Sequence, residues 1–213
     1  MTEEMMDQAL EGVDMLHICG IALSTSELSK QNALALAKKA YEKEIAICFD
    51  FNFRSSLNDE EGMASLVATY NIILPWVTIA FGSLRDLKEL LKIAVESEEA
   101  IVESFMLQYN ISVFAGTHRH QNNHQKQLQG FIYQGSEKIV SEKVTYEVCD
   151  RMGTGDAFVA GILTGLIEKW SLEKTVKFGV YSAVLAHTTV GDSPVLSKSF
   201  VLNYMEKQVD VIR

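Results

Sequence analysis

Apolar positions along this chain follow two alternating rhythms. Short continuous runs at 15–23, 45–49, 77–81 and 111–115 have the length of strands covered on both faces. Between them lie longer segments whose apolar residues recur at helical spacing. The segment 26–44 carries a broad stripe of Leu28, Ala33, Leu34, Leu36, Ala37, Ala40 and Tyr41, and 59–73, 84–94 and 96–109 repeat the pattern. Residues 2–10 read as the tail of a helix. Alternation at 130–135 and 138–142 predicts a β-hairpin turning at Gly135 and Ser136. Three helices follow. The first runs about four turns from Asp156, the second spans 172–187 and packs on it through Gly179 and Ala183, and the third covers 199–208. Strands alternating with helices predict an α/β fold with a largely parallel sheet and helices on both faces.

Composition narrows this picture. A chain of 213 residues with 47% hydrophobic content suffices for one sizeable domain with a real core. A net charge of −9 without a dense Lys/Arg block argues against nucleic acid or an anionic membrane as a partner. No apolar run reaches the ~20 residues that span a bilayer, and no secretory signal opens the chain. Cys19, Cys48 and Cys149 are odd in number and set in apolar segments, as expected of reduced, buried thiols. The expected location is cytoplasmic.

The stretch with the most chemistry is Asp150-Arg151-Met152-Gly153-Thr154-Gly155-Asp156, where a polar, glycine-rich turn runs into an apolar helix. The first amides of a helix lack intrahelical partners and its dipole makes that end partly positive, so a phosphate is stabilised there. A carboxylate at the same end, Asp156, can take a proton from a hydroxyl held beside that phosphate. The plainer reading is that Asp156 caps a helix and the glycines make a turn.

Asp150-x-x-Gly-x-Gly-Asp156-x-Phe158 resembles the second signature of the PfkB-type, or ribokinase-like, carbohydrate kinases, with Thr154 in place of the usual alanine. The resemblance implies a ribokinase-like fold. It implies an anion hole formed by the amides of Gly153, Thr154, Gly155 and Asp156, with ATP and Mg²⁺ as partners and Asp156 as the base that activates the sugar hydroxyl. Asp50-x-Asn52-x-Arg54 follows a strand and is similar to the substrate loop of the family's 2-keto-3-deoxygluconate kinases. That likeness gives Arg54 a grip on the acidic end of the substrate, with Asn52 and Asp50 positioning the loop. A guanidinium fork suits a carboxylate's two oxygens.

Ser83-Leu84-Arg85-Asp86 stands where the family carries Asn-x-x-Glu or Asn-x-x-Asp. By resemblance Asp86 holds Mg²⁺ through water. By composition alone it is an acid in the first turn of a helix. His187-Thr-Thr-Val-Gly191-Asp192 resembles the stretch from which deoxygluconate kinases reach the sugar's hydroxyls, a role that falls to Asp192. A turn before Pro194 explains the same residues plainly. The His-rich run at 118–127 reads as a solvated loop rather than a metal site, and Arg119 within it could reach a phosphate.

The implied reaction is ATP-dependent phosphorylation of a sugar hydroxyl, with 2-keto-3-deoxygluconate going to its 6-phosphate. Fructose, ribose and a nucleotide-binding remnant with little turnover remain alternatives. The chain as a whole, 1–213, corresponds to the C-terminal two-thirds of a single kinase domain, the nucleotide-binding and catalytic part. The family's N-terminal strands and β lid, which often make a dimer, are expected to be absent, and a homo-oligomer is left open.

Overall fold

The computed structural model describes residues 1–54, 59–95, 97–122, 125–194 and 196–207. They form two compact units, Met1–Phe114 and Ala115–Arg213.

The first unit is built on parallel strands β1 (Met15–Cys19), β2 (Ala46–Asp50) and β3 (Ile79–Phe81). Helices α1 (Glu3–Ala9), α2 (Glu27–Glu42), α3 (Glu60–Ile73) and α4 (Glu98–Tyr109) accompany them. Strands β2 and β3 contain no exposed residue, which is why the sequence shows unbroken apolar runs rather than alternation. Register places Cys19 beside Asp50 and Asp50 beside Phe81, so one row of residues closes the carboxyl ends of all three strands. Flanking that row, Phe49, Phe51 and Tyr70 pack edge-on with centroids 5.2–5.6 Å apart. Phe105 joins Phe51 at 6.0 Å and Phe114 at 5.3 Å. Each such pair adds about 0.5–1.5 kcal/mol to the burial of its rings.

Strand β4 (Val113–Asn122) leads into the second unit, where β5 (Gln125–Gln134) pairs antiparallel with β6 (Glu137–Val140) and with β7 (Val144–Tyr146). The β5–β6 pair is the hairpin expected around Gly135. Helices α5 (Thr154–Ile167), α6 (Leu172–Ala186) and α7 (Lys198–Lys207) complete the unit. A Cβ on Gly161 would lie 2.6 Å from the Cα of Gly179, so α5 and α6 meet backbone to backbone, as their small residues suggest. Phe178, Tyr181 and Leu185 of α6 bury Val201 and Met205 of α7.

Four local expectations change. The 15–23 run leaves strand geometry after Cys19 for a 3₁₀ turn, Gly20–Leu23, and glycine opens that turn where the backbone passes so close to Phe51 that a Cβ would lie 2.2 Å from its carbonyl oxygen. The 84–94 helix stops at Leu90 after a π-helical turn, Asp86–Leu90. The His-rich run is not a loop: outside Asn123 and His124, which are not among the described residues, it is strand. His118 stacks on Phe131 at 4.8 Å and a ring nitrogen of His120 shares a 3.0 Å hydrogen bond with Gln129 Oε1, so a polar ribbon is held by cross-strand contacts that composition hides. Of the cysteines only Cys48 is buried; Cys19 is half-buried and Cys149 exposed. Among the described residues no helix is long and apolar enough to cross a membrane.

Candidate functional site

In the second unit the signature turn is fixed from below and open above. The amides of Cys149 and Asp150 donate to the His187 carbonyl at 2.9 and 3.2 Å, pinning the turn to the end of α6. The Asp150 carboxylate then gathers three amides: Arg151 at 2.6 Å and Met152 at 3.1 Å on Oδ1, and Gly191 at 2.9 Å on Oδ2. Those bonds, from Gly191 first and then Met152 and Arg151, hold the carboxyl below the usual carboxylate range.

Gly153 follows with φ of +68°, the left-handed region in which a side chain is strained. A Cβ there would also lie 2.2 Å from the carbonyl oxygen of Asp192. Thr154 is buried and its hydroxyl donates to the Arg151 carbonyl at 3.1 Å. Gly155 differs from Gly153: a Cβ built on it meets nothing within 4 Å. Protein packing therefore does not demand glycine at 155, and the approach to its backbone is open. No side chain caps α5, and Asp156 sits exposed in its first turn. Four amides at a positive dipole end with an open face can hold an anion, and the carboxylate beside them is placed where it can accept a proton.

Behind the turn His187 is buried, its ring 4.4 Å from that of Tyr146. Its Nδ1 lies 2.7 Å from the Ala183 carbonyl, which can only accept, so the proton is on Nδ1. Burial, and then the nearby charges of Arg119, Arg151 and Lys126, push the imidazole below its ordinary pKa against the effect of that hydrogen bond. The sequence reading missed His187 and Asp150 as parts of the site. A polar residue closing an apolar helix, with an aspartate opening the motif, was the available signal.

In the first unit the Asp50–Arg54 segment is folded on itself. Asn52 takes φ of +36° and its amide donates to Asp50 Oδ1 at 3.2 Å. Its side-chain amide nitrogen donates to Cys19 Sγ at 3.3 Å, while its oxygen accepts from Arg54 Nε at 3.2 Å. Arg54 is exposed at the lip of the carboxyl-end row. Asp86 lies beyond β3, where its Oδ2 accepts from the Ser83 amide at 2.7 Å and the Ser83 hydroxyl at 2.8 Å. The Asp86 amide approaches the Ser83 hydroxyl at 3.3 Å in return, the reciprocal arrangement of a capping box. Burial raises the Asp86 carboxyl above its ordinary value against those bonds. Nearby, the fully buried Tyr70 hydroxyl has no hydrogen-bond partner, and its pKa is pushed up by burial and then by the charges of Asp86 and Asp50. Among the described residues no group of three His, Cys, Asp or Glu side chains is arranged to hold a metal ion.

Of the residues expected from sequence, Asp50, Asn52 and Arg54 thus come together in one unit, with Asp86 paired to Ser83. Gly153, Thr154, Gly155, Asp156 and Asp192 come together in the other.

The family model described as pfkB family carbohydrate kinase matches residues 1–198. The 2-dehydro-3-deoxygalactonokinase of Haloferax volcanii is 24% identical over 195 residues, covering 92% of this chain and 58% of that protein. A crystal structure from Enterococcus faecalis, provisionally named a 2-keto-3-deoxygluconate kinase, superposes with a TM-score of 0.93 at 42% identity, covering 98% of this chain and 64% of that one. A fructokinase from Vibrio cholerae, solved with fructose, ADP and a calcium ion bound, shares the fold at a TM-score of 0.71 and 21% identity, over 90% of this chain and 60% of that one. The ribokinase-like α/β fold expected from sequence is the one these structures share. The chain spans roughly three-fifths of the length of the relatives it matches.

Proposed function

The chain belongs to the pfkB family of carbohydrate kinases, and from that premise we propose that residues 1–213 are the catalytic part of an ATP-dependent kinase for 2-keto-3-deoxygluconate, forming its 6-phosphate. The observation that carries this reading is the uncapped start of α5, with Asp156 in its first turn and the approach to Gly155 open. Asp156 would accept the proton of the terminal hydroxyl as that oxygen forms its bond to the γ-phosphorus of ATP and the bond from phosphorus to ADP breaks. The amides of Gly153, Thr154, Gly155 and Asp156 would receive the charge that develops on the transferred group. Arg54 would hold the sugar acid's carboxylate, with Asn52 setting the guanidinium through its 3.2 Å bond, and Asp192 would accept from the sugar's hydroxyls.

The residues present fit Mg²⁺ held through water rather than directly. Asp86 and Asp50 bring two carboxylates near a buried, unpartnered Tyr70 hydroxyl, yet no three-ligand cluster exists among the described residues. Such a site suits an ion that keeps much of its hydration shell, with Asp86 as the water-mediated holder. When bound, the ion offsets negative charge on the phosphates.

The test is phosphorylation of 2-keto-3-deoxygluconate by this chain beside its Asp156→Asn variant. A fall of about 10²–10⁴-fold in turnover, with the ATP-dependent rise in melting temperature retained, is expected. Equal turnover in both would remove Asp156 from the chemistry. Because the chain spans 58% of the Haloferax volcanii relative, a second reading is a nucleotide-binding protein with little turnover. ATP stabilisation without phosphorylation in either protein would select it.

A further inference from the structure

The carboxylate of Asp150 joins two stretches that are far apart in sequence. Its Oδ1 holds the amides of Arg151 and Met152 at the entrance to the signature turn, and its Oδ2 holds the amide of Gly191 in the segment that follows α6. That second segment begins at His187, whose carbonyl receives the amides of Cys149 and Asp150, and it reaches Asp192, whose carbonyl abuts Gly153. The Gly191 bond is made by a charged side chain across the gap. All its partners are backbone amides, so the link is indifferent to the side chains of the segment and depends on the aspartate alone.

From this arrangement we propose that Asp150 is a positioning residue, which locks the 187–192 segment to the turn at the start of α5, so that an anion bound there also fixes Asp192. The inference rests on the proposed function for the identity of the anion, a nucleotide phosphate, and for the role of Asp192. Turn and segment then behave as one body. An anion that orders the amides of residues 153–156 holds the Asp150 backbone, and Asp150 passes that order to Gly191. By reciprocity, whatever orders Asp192 tightens the turn for the anion by the same factor.

Amide hydrogen exchange followed by NMR on the whole chain tests this, with Mg-ATP as the probe. Asp150→Asn keeps an acceptor for Arg151 and Met152 but turns an N–H group towards Gly191, which cuts the link selectively. Exchange at Gly191 is expected to accelerate at least about tenfold in the variant without nucleotide, the melting temperature moving by no more than about 2 °C. In the wild type Mg-ATP is expected to slow exchange both at 153–156 and at Gly191; in the variant it slows only the former.

Unchanged Gly191 exchange in the variant would overturn the clamp. So would a wild-type Gly191 amide that exchanges at the rate of an unstructured chain, a readout that needs no variant to fold. Protection by Mg-ATP at 153–156 with none at Gly191 in the wild type would overturn the coupling. If Mg-ATP protects neither, the nucleotide reading fails on its own, and the accelerated exchange of the variant without nucleotide still supports the clamp.

Discussion

Helices α6 and α5 begin in opposite ways. At the start of α6 the Ser171 hydroxyl accepts from the Lys174 amide at 3.3 Å, so the first turn is satisfied from within the chain. The same device opens α1 at Thr2, α2 at Ser26, α3 at Asp59 and α4 at Ser97, and Ser197 receives the Phe200 amide at the start of α7. At α5 the cap position is Gly153, and no side chain takes the amides. A cap contributes about 1 kcal/mol, so leaving it out at one helix forgoes stability that the others keep. The forgone stability marks where the chain leaves its amides for something else.

The contrast is broken most severely at Gly153. Alanine there would stand in the left-handed region and place its methyl 2.2 Å from the Asp192 carbonyl oxygen, a backbone atom that cannot swing away. Strain and overlap together predict a loss of about 2–4 kcal/mol, read from the midpoint of urea denaturation, with the ATP-dependent rise in melting temperature lost as well. A change below about 0.5 kcal/mol would mean that turn and segment are not packed as described.

Gly155 sharpens the comparison because stability and binding should part company there. Alanine meets nothing within 4 Å and replaces glycine in a helix, so Gly155→Ala is expected to stabilise the fold by up to about 1 kcal/mol. Its methyl stands in the approach to the open amides, so ATP affinity should fall about tenfold or more. Ser171→Ala is the mirror control: about 1 kcal/mol less stable, with ATP affinity unchanged. Urea midpoints and calorimetric titration of the same samples separate the cases. If both variants lost stability and neither lost ATP, α5 would be an ordinary helix whose cap was merely omitted.

How much of this was legible in the sequence varies with the range of the forces involved. Burial of β2 and β3, the α5–α6 contact and the glycine-rich turn into α5 follow from local pattern, because apolar runs and small residues act on their immediate neighbours. Asp86 does lie in a first helical turn, and its partnership with Ser83 is a reciprocal cap whose Ser-x-x-Asp spacing is itself a local signal that the family resemblance drew attention away from. The His-rich segment misled because polar composition resembles a loop, whereas β4 and β5 pair with each other across it and β7 pairs with β5. Asp150 was read only as the first letter of a motif. Its bond to Gly191 spans 41 positions, a contact that no local pattern encodes.

The smallest effect concerns what lies beneath the uncapped turn. The cap of α6 is a hydroxyl that does not titrate in the accessible range, whereas the α5 turn hangs on the carbonyl of His187, a residue whose ring does. Burial is the main reason that ring resists protonation, helped by Arg119, Arg151 and Lys126, and its folded pKa therefore lies below the ordinary 6.5. The unfolded chain then takes up the proton first. The contribution of the neutral ring is complete above about pH 6.5, declines as pH falls below it, and is lost once pH has passed through the folded pKa. One proton limits the slope to about 1.4 kcal/mol per pH unit. Urea midpoints measured between pH 7.5 and 5.5 should accordingly fall more steeply for the wild type than for His187→Asn, whatever the variant's absolute stability. The ATP affinity of the wild type should weaken over the same range. Parallel slopes would mean that His187 supports the turn through its carbonyl alone, and that the difference between the two helix starts carries no sensitivity to pH.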